Sequence, residues 1–443
     1  MSVLSSRGRR VLGRLPLTVA LTACLAAASP VARAQRPADV VTITYWNQWT
    51  DPVSKSGITK VIALFEKKYP TIRVHEVDLG GGGSPGDTKI LTAITGGKPP
   101  DAATMFNIRD MGPWAARGAI QPLDTLAKTY HTDLGDYTKA ALDTATYNGH
   151  LYGLTIELDS FALLINTDIF RAAGIKTYPR TMSQIAADAV KLTKTNSSGQ
   201  ITQMGLVTGF DNGLLGFIYP YFNVQWYDPK ANKITTDSPA AVQALTWDKT
   251  LTDKIGVQAY ENFLASKARN PLGDHFIDGN AGMDIDGDWA CNLIPSYNKK
   301  LHWVAIAPPY ADGHPAWQNS TWIDGGINVI PTGASHPREA YQFINFMNTT
   351  EANVIANAAI GGRSPLKSGD ALQEKQGNAC VKLFTHLSQG QRTFPWPIIP
   401  IATDLQTDVG TTEDAVLRGK DTPQHALAQL QQKLQAELMS APH

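Results

Sequence analysis

Along VTITYWNQWT, residues 41–50, apolar and polar side chains alternate, as they do on a strand with one buried face. The next segment, SKSGITKVIALFEKKYP, changes period. Val61, Ile62, Leu64 and Phe65 recur at helical spacing with Lys and Glu opposite, and a proline closes the run. TIRVHEVDL returns to alternation, and KILTAITGGKPPDAATMF reads as helix, Gly/Pro stop and buried strand. WAARGAIQPLD and DTLAKTY continue the rhythm. Strand–helix–strand alternation of this kind predicts open α/β sheets covered by helices on both faces. Ligands on such sheets sit beyond the carboxyl ends of the strands.

From about Asp168 to Asp253 the pattern is richer in helix: TMSQIAADAVKLTKT and PAAVQALTWDKTLTDK both have good starts and apolar faces. TPQHALAQLQQKLQAELM, near the C-terminus, opens with Thr422-Pro423, an N-cap and N1 pair. No fixed-period repeat is visible. GGGGS, residues 80–84, lacks the GK[ST] ending of a phosphate loop and the GxGxxG-then-helix setting of a dinucleotide site, so it reads as a flexible loop.

The first 34 residues follow different rules. MSVLSSRGRRVLGR is basic, LPLTVALTACLAAA is an apolar run, and SPVARA ends in an A-x-A site. That order is expected of a secretory signal peptide. Leu21-Thr22-Ala23-Cys24 also resembles a lipobox, so the expected product is either a free exported protein cut after Ala34 or one lipid-anchored through Cys24. These residues hold five Arg and no acid. The whole 443-residue chain balances 39 basic against 39 acidic side chains, and the remainder therefore carries 34 against 39. An acidic body without a Lys/Arg run argues against nucleic-acid and anionic-membrane partners. Past Cys24 there are only Cys291 and Cys380, which in an exported chain can form one disulfide. The ten His are scattered, with no HExxH pair, and no Cys/His spacing suits zinc. No metal or other cofactor is expected.

AGMDIDGDWA, residues 281–290, is the most suggestive stretch. Asp284, Asp286 and Asp288 mimic the start of a calcium hand, which needs glycine at its sixth position and a bidentate acid at its twelfth. Those positions hold Trp289 and Pro295, and the hand reading fails. A strand is expected instead, with Met283 and Ile285 on one face, a break at Gly287, and Trp289 emerging beyond it. Asp288 becomes a polar neighbour of whatever Trp289 contacts; Asp284 and Asp286 are expected to be structural or solvated. Trp46 and Trp49 likewise end the first strand, and Trp322 precedes Asp324-Gly325-Gly326. Aromatics at strand ends beside polar residues and glycines suit a sugar, whose apolar face stacks on an indole and whose hydroxyls need buried partners. Catalysis has no positive signal: there is no GxSxG elbow, and acidic neighbours such as Glu157 and Asp159 recur by chance.

Seven segments, in order, resemble the extracellular solute-binding proteins of bacterial carbohydrate ABC importers, the group of maltose- and trehalose-binding proteins. They are YWNQW, GGKPPDAATM, WAARGAIQPLD, YGLTIELDSFALLINTDIFRAAGI, FIDGNAGMDIDGDWA, WIDGGINVIPTGASHPREAYQFINFM and GGRSPLKS. The resemblance spans nearly the whole body of the chain. It implies a two-lobed periplasmic-binding-protein fold, each lobe a sheet flanked by helices, joined by a hinge of crossing segments. The N-lobe would comprise 40–158 plus 325–362, and the C-lobe 159–324 plus 363–443. It also implies a monomer without catalytic activity, which closes on a carbohydrate and presents it to membrane permease subunits. By position, ligand contacts would fall on Trp46, Asn47 and Gln48; on Asp87 after the glycine loop; on Arg109 and Asp110; and on Glu157, Asp159 and Phe161. Trp289 and Trp322 would stack, Gly325 and Gly326 would permit close backbone approach, and Arg363 would supply a further side chain. Two other readings stay open. One is a receptor of the same fold for glycerol 3-phosphate or another polyol, against which the acidic residues Asp110, Glu157 and Asp159 argue. The other is an exported glycoside hydrolase.

Overall fold

The computed structural model describes residues 40–80, 84–208, 213–266, 268–270 and 272–442. The signal-peptide and lipobox readings fall outside them. Twelve strands form the two principal sheets: β1 (Val41–Asn47), β2 (Ile72–Asp78), β3 (Ala102–Met105), β4 (Gly153–Thr155), β5 (Asp159–Asn166), β6 (Lys194–Thr195), β7 (Ile201–Thr208), β8 (Ala281–Gly287), β9 (Trp303–Ile306), β10 (Thr321–Asp324), β11 (Ile327–Val329) and β12 (Thr393–Pro395). The first sheet runs β2-β1-β3-β11-β4; the second runs β12-β10-β5-β8-β7-β6, with β9 also on β5. Each sheet has its own apolar core, and helices cover both, giving two lobes.

The first lobe is built as its periodicity predicts. Ile43, Tyr45 and Asn47 alternate into the interior along β1, which pairs in parallel with both β2 and β3. Asp51 caps the following helix, Pro52–Lys68, by accepting from the Val53 and Ser54 amides at 3.0 and 3.1 Å. The helix buries Ile58, Val61 and Phe65 and ends on Lys67 and Lys68, which suit the negative end of its dipole. Phe65 meets the edge of Phe343 at 5.1 Å, locking this helix onto Pro337–Met347.

In the second lobe β8 lies between β5 (antiparallel) and β7 (parallel), and all seven of its residues are buried. The expected strand at AGMDIDG is present. Of the two expectations for Asp284 and Asp286, structural or solvated, burial leaves only the first: both lie in the interior of this central strand, with no solvent to face. Cys291 and Cys380 form a disulfide that ties the helix after Trp289, Ala290–Tyr297, to Ala379–Ser388.

The chain passes between the sheets after β4, between β10 and β11, and again after the helix Thr350–Ile360. The third passage is gradual. Leu366 still packs in the first lobe's core and bridges to Tyr137, and the Lys367 amide bonds the Asp136 carbonyl.

Candidate functional site

The parallel strands β1 and β3 both end at one rim of the first sheet, which brings Trp46-Asn47-Gln48-Trp49 beside Phe106-Asn107. Gln48 donates to Asp87 Oδ1 at 2.6 Å and to the Thr104 carbonyl at 2.8 Å. Asp87 also accepts the Phe106 amide at 3.2 Å, the Asn107 amide at 3.0 Å and the Asn107 side chain. Burial, reinforced by the nearby charge of Asp110, pushes the Asp87 carboxyl up to about 7. Asn47 is used differently. It donates to Glu76 at 2.7 Å and to the Trp49 carbonyl at 3.1 Å, a brace for the strand end. Trp46 is half-buried against the sheet.

Arg109 and Asp110 occupy the short 3-10 turn after β3. Asp110 accepts from Thr403 at 2.5 Å, and Thr403 belongs to the helix Ala402–Leu417, which packs in the second lobe's core. This hydrogen bond spans the two lobes. Burial raises Asp110, with Thr403 and Arg109 opposing. Arg109 also acts on Asp324, at the end of β10, whose carboxyl burial lifts to about 7 despite it.

Asp324 stands opposite Asp159 in the β5–β10 ladder. Asp159, Glu157, Asp288 and Arg363 complete a buried cluster at the passages between the lobes. Arg363 Nε lies 3.4 Å from Asp288 Oδ2 and its guanidinium donates to the Gly361 carbonyl at 2.9 Å. Asp159 and Asp288 face each other, an arrangement that needs a proton between them. Burial first, then the charges of Asp288 and Asp324, raise Asp159 well above the carboxylate range, and the pair shares a proton. Burial holds Asp288 near 7, and Glu157 is raised well above its ordinary value while accepting from the Trp49 indole. Arg363 Nε and the Asp288 oxygens are held only by charges inside the cluster, Arg363 Nε at 3.4 Å from Asp288 Oδ2, and Gln48 Oε1 at the neighbouring rim is buried with no hydrogen-bond partner. Buried polar groups in that condition are ready for a ligand's hydroxyls.

The backbone leaves no spare room here. Gly325 has φ +149°, and a Cβ on it would lie 2.3 Å from the Glu157 carbonyl oxygen. One on Gly326 would lie 2.9 Å from the Trp49 indole. Both glycines are required by close approach of the crossing segments themselves.

The aromatic residues divide. Trp289 follows β8, half-buried, with its ring folded over Gly287, its edge toward Phe161 at 5.5 Å, and its indole hydrogen-bonded to Asp286. Trp322 is set otherwise than expected. It is 2 % exposed and stacks on Phe161 at 4.4 Å and 10°, while Phe217 presses its edge on both. A phenyl ring takes the face expected for a sugar, so Phe161 and Trp322 are core. On β5 and β10, central in a covered sheet, alternation cannot tell an inward aromatic from one at the rim.

Beside Arg109 a cavity of about 610 Å³ enters the second lobe between the helices Pro239–Ile255, Val257–Leu264 and Ala402–Leu417. Asp248 and Glu413 line it as a second carboxyl pair: burial lifts Asp248 to about 6 and Glu413 well above its ordinary value. The Gln406 amide nitrogen on the same wall is buried without a partner. Asn107, Asp324, Thr403, Gln406, Asp248 and Glu413 were passed over in the sequence. Only Asp324, between Trp322 and two glycines, carried a local signal.

Residues 49–354 match the family described as bacterial extracellular solute-binding protein. An uncharacterized ABC transporter extracellular-binding protein of Pyrococcus horikoshii is 23% identical over 424 residues, covering 91% of this chain and 92% of that protein. The diacetylchitobiose binding protein DasA of Streptomyces coelicolor is 23% identical over 357 residues, 77% of this chain and 78% of its own. Among solved structures, CpMnBP1 with mannotriose bound superposes with a TM-score of 0.77 at 26% identity, over 88% of this chain and 99% of that one.

Proposed function

The chain belongs to the bacterial extracellular solute-binding proteins, and from that premise we propose that it captures a neutral carbohydrate between its two lobes and delivers it to an ABC permease. One observation carries the reading. Buried polar groups from both lobes converge on one seam, several of them held only by charges inside the cluster, with Trp289 at its edge and Thr403–Asp110 already spanning it. A ligand that touches both sides favours the closed population. Carboxyls that hold protons can both donate to and accept from hydroxyls, which suits a polyhydroxy ligand and disfavours a phosphate or uronate. The site residues we assign are Trp46, Gln48, Asp87, Arg109, Asp110, Glu157, Asp159, Asp288, Trp289 and Arg363. Asn47, Gly325 and Gly326 support them, and the hinge runs through 156–158, 325–326 and 361–365. The protein acts as a monomer, exported to the periplasm or anchored at the cell envelope, and turns nothing over.

Tryptophan fluorescence titrated with mannobiose, mannotriose, maltose, diacetylchitobiose and glycerol 3-phosphate tests this. A saturable response to at least one neutral sugar, with no product released on prolonged incubation, is expected. Response to glycerol 3-phosphate alone, or steady release of hydrolysed sugar, would overturn the reading.

A further inference from the structure

Asp284 and Asp286 point to the same face of β8, and the structure brings them a third carboxylate that the local motif does not contain. Asp274, at the start of the turn 274–279, offers an oxygen to the pair, and one oxygen from each of the three lies within 4.8 Å of the others. The environment is closed: Asp284 is 1 % exposed and Asp286 5 %. Asp274 is half-buried, so the cluster opens toward solvent on its side.

The hydrogen bonds leave this cluster incomplete. Asp274 Oδ1 accepts the amides of Phe276 and Ile277 at 2.6 and 3.0 Å, which caps the turn. Asp286 Oδ1 accepts the Gly287 amide at 2.8 Å. Asp284 Oδ1, fully buried beside two other carboxylates, accepts nothing. Among the described residues no Lys, Arg or His forms a salt bridge with any of the three. A buried carboxylate oxygen with no donor costs several kcal/mol, and a central cation removes that cost. The donors are all oxygen, which selects a hard cation. Calcium accepts oxygens at about 2.3–2.6 Å in loose geometry, which three carboxylates from two separate segments can supply, whereas magnesium demands a near-ideal octahedron.

We propose that Asp274, Asp284 and Asp286 form a calcium site beneath the end of β8, completed by water on the Asp274 side. It is not a calcium hand, because one ligand comes from ten residues upstream and Asp288 is directed to the interlobe cluster instead. The ion would hold Asp286, and through it the Trp289 indole, so that loading steadies the sugar-facing edge. Calcium binding itself does not depend on the sugar reading.

The test uses the full exported chain after EDTA treatment. Calcium should raise the melting temperature in a concentration-dependent way. Terbium should bind one per chain with luminescence sensitised by neighbouring Trp and Tyr, and calcium should displace it. Asp284→Asn should weaken both effects at least tenfold, and Asp274→Asn, at the exposed edge, should do the same if the first variant folds poorly. Asp168→Asn, at an exposed carboxylate paired with Arg171, should leave them unchanged. The proposal is overturned if the stripped wild type shows no calcium response, if it responds to magnesium alone, or if both variants keep terbium. A sugar response that persists without calcium leaves the function standing while the site is judged on these readouts alone.

Discussion

Thr403 donates a 2.5 Å hydrogen bond to Asp110, joining the first turn of a second-lobe helix to the 3-10 turn at the end of β3. The bond can form only while the lobes are together, so it favours closure. A hydrogen bond to a charged or strongly polarised group contributes about 1.5–3 kcal/mol, less what a water supplies in the open state. Thr403→Val keeps the shape and removes the donor. We expect about a tenfold rise in sugar Kd by calorimetry, with the urea midpoint of unfolding nearly unchanged. An unaltered Kd would mean that the contact does not differ between open and closed populations.

Trp289 and Trp322 should separate cleanly. Trp289→Ala removes a half-exposed ring and is expected to cost at least tenfold in sugar affinity with a modest effect on stability. Trp322→Ala opens a hole in the core beside Phe161 and Phe217, and truncations of that size cost about 3–5 kcal/mol. Calorimetry and urea unfolding on both variants check the division. If Trp322→Ala leaves stability intact but abolishes binding, its role has been misassigned.

Much of this architecture was legible along the chain. β1, its following helix and β2 show in plain alternation and 3.6-residue spacing, although the helix starts at Pro52, capped by Asp51, two residues before the segment in which its periodicity is visible. Trp289 was legible because Gly287 interrupts its strand first. Contacts between distant segments were not: nothing near Asp110 announces Thr403, 293 positions away, and nothing in AGMDIDGDWA announces Asp274. Such pairings depend on which strand ends share a rim, a property of sheet order. The fates of Asp284 and Asp286 follow from the same cause, since only topology puts β8 at the centre of a covered sheet.

The disulfide sits next to the binding edge, because Cys291 is two residues beyond Trp289. It closes a span of 89 positions, for which the chain-entropy account predicts a loss of about 4.6 kcal/mol on removal, although native-state strain and residual unfolded-state structure commonly lower the measured figure. The paired variant Cys291→Ser/Cys380→Ser should lower the urea midpoint by an amount equivalent to about 2–4 kcal/mol. Its affinity for sugar should fall little once measured well below the transition, since Phe161 and Asp286 still hold the Trp289 ring. A large loss of affinity in a stably folded variant would show that the bridge sets the position of Trp289.

Stability should also depend on pH through Asp87. Its carboxyl titrates near 7 in the folded protein, chiefly because it is buried, against about 3.9 in an unfolded chain. Between those values the native state holds a proton that the unfolded state has released. Stability from this group is therefore fully present below about pH 4, declines as pH rises, and is lost once pH passes about 7. Asp248, near 6, acts in the same direction. Urea unfolding at intervals from pH 4.5 to 8 should show the wild type weakening toward neutrality, with a shallower slope for Asp87→Asn, which cannot ionise. The amide keeps one acceptor for the Gln48, Phe106 and Asn107 donors, so the variant should start less stable at low pH and converge on the wild type at high pH. A wild-type stability that rises across this range, with Asp87→Asn flattening the rise, would mean that the four donors hold Asp87 ionised and outweigh its burial.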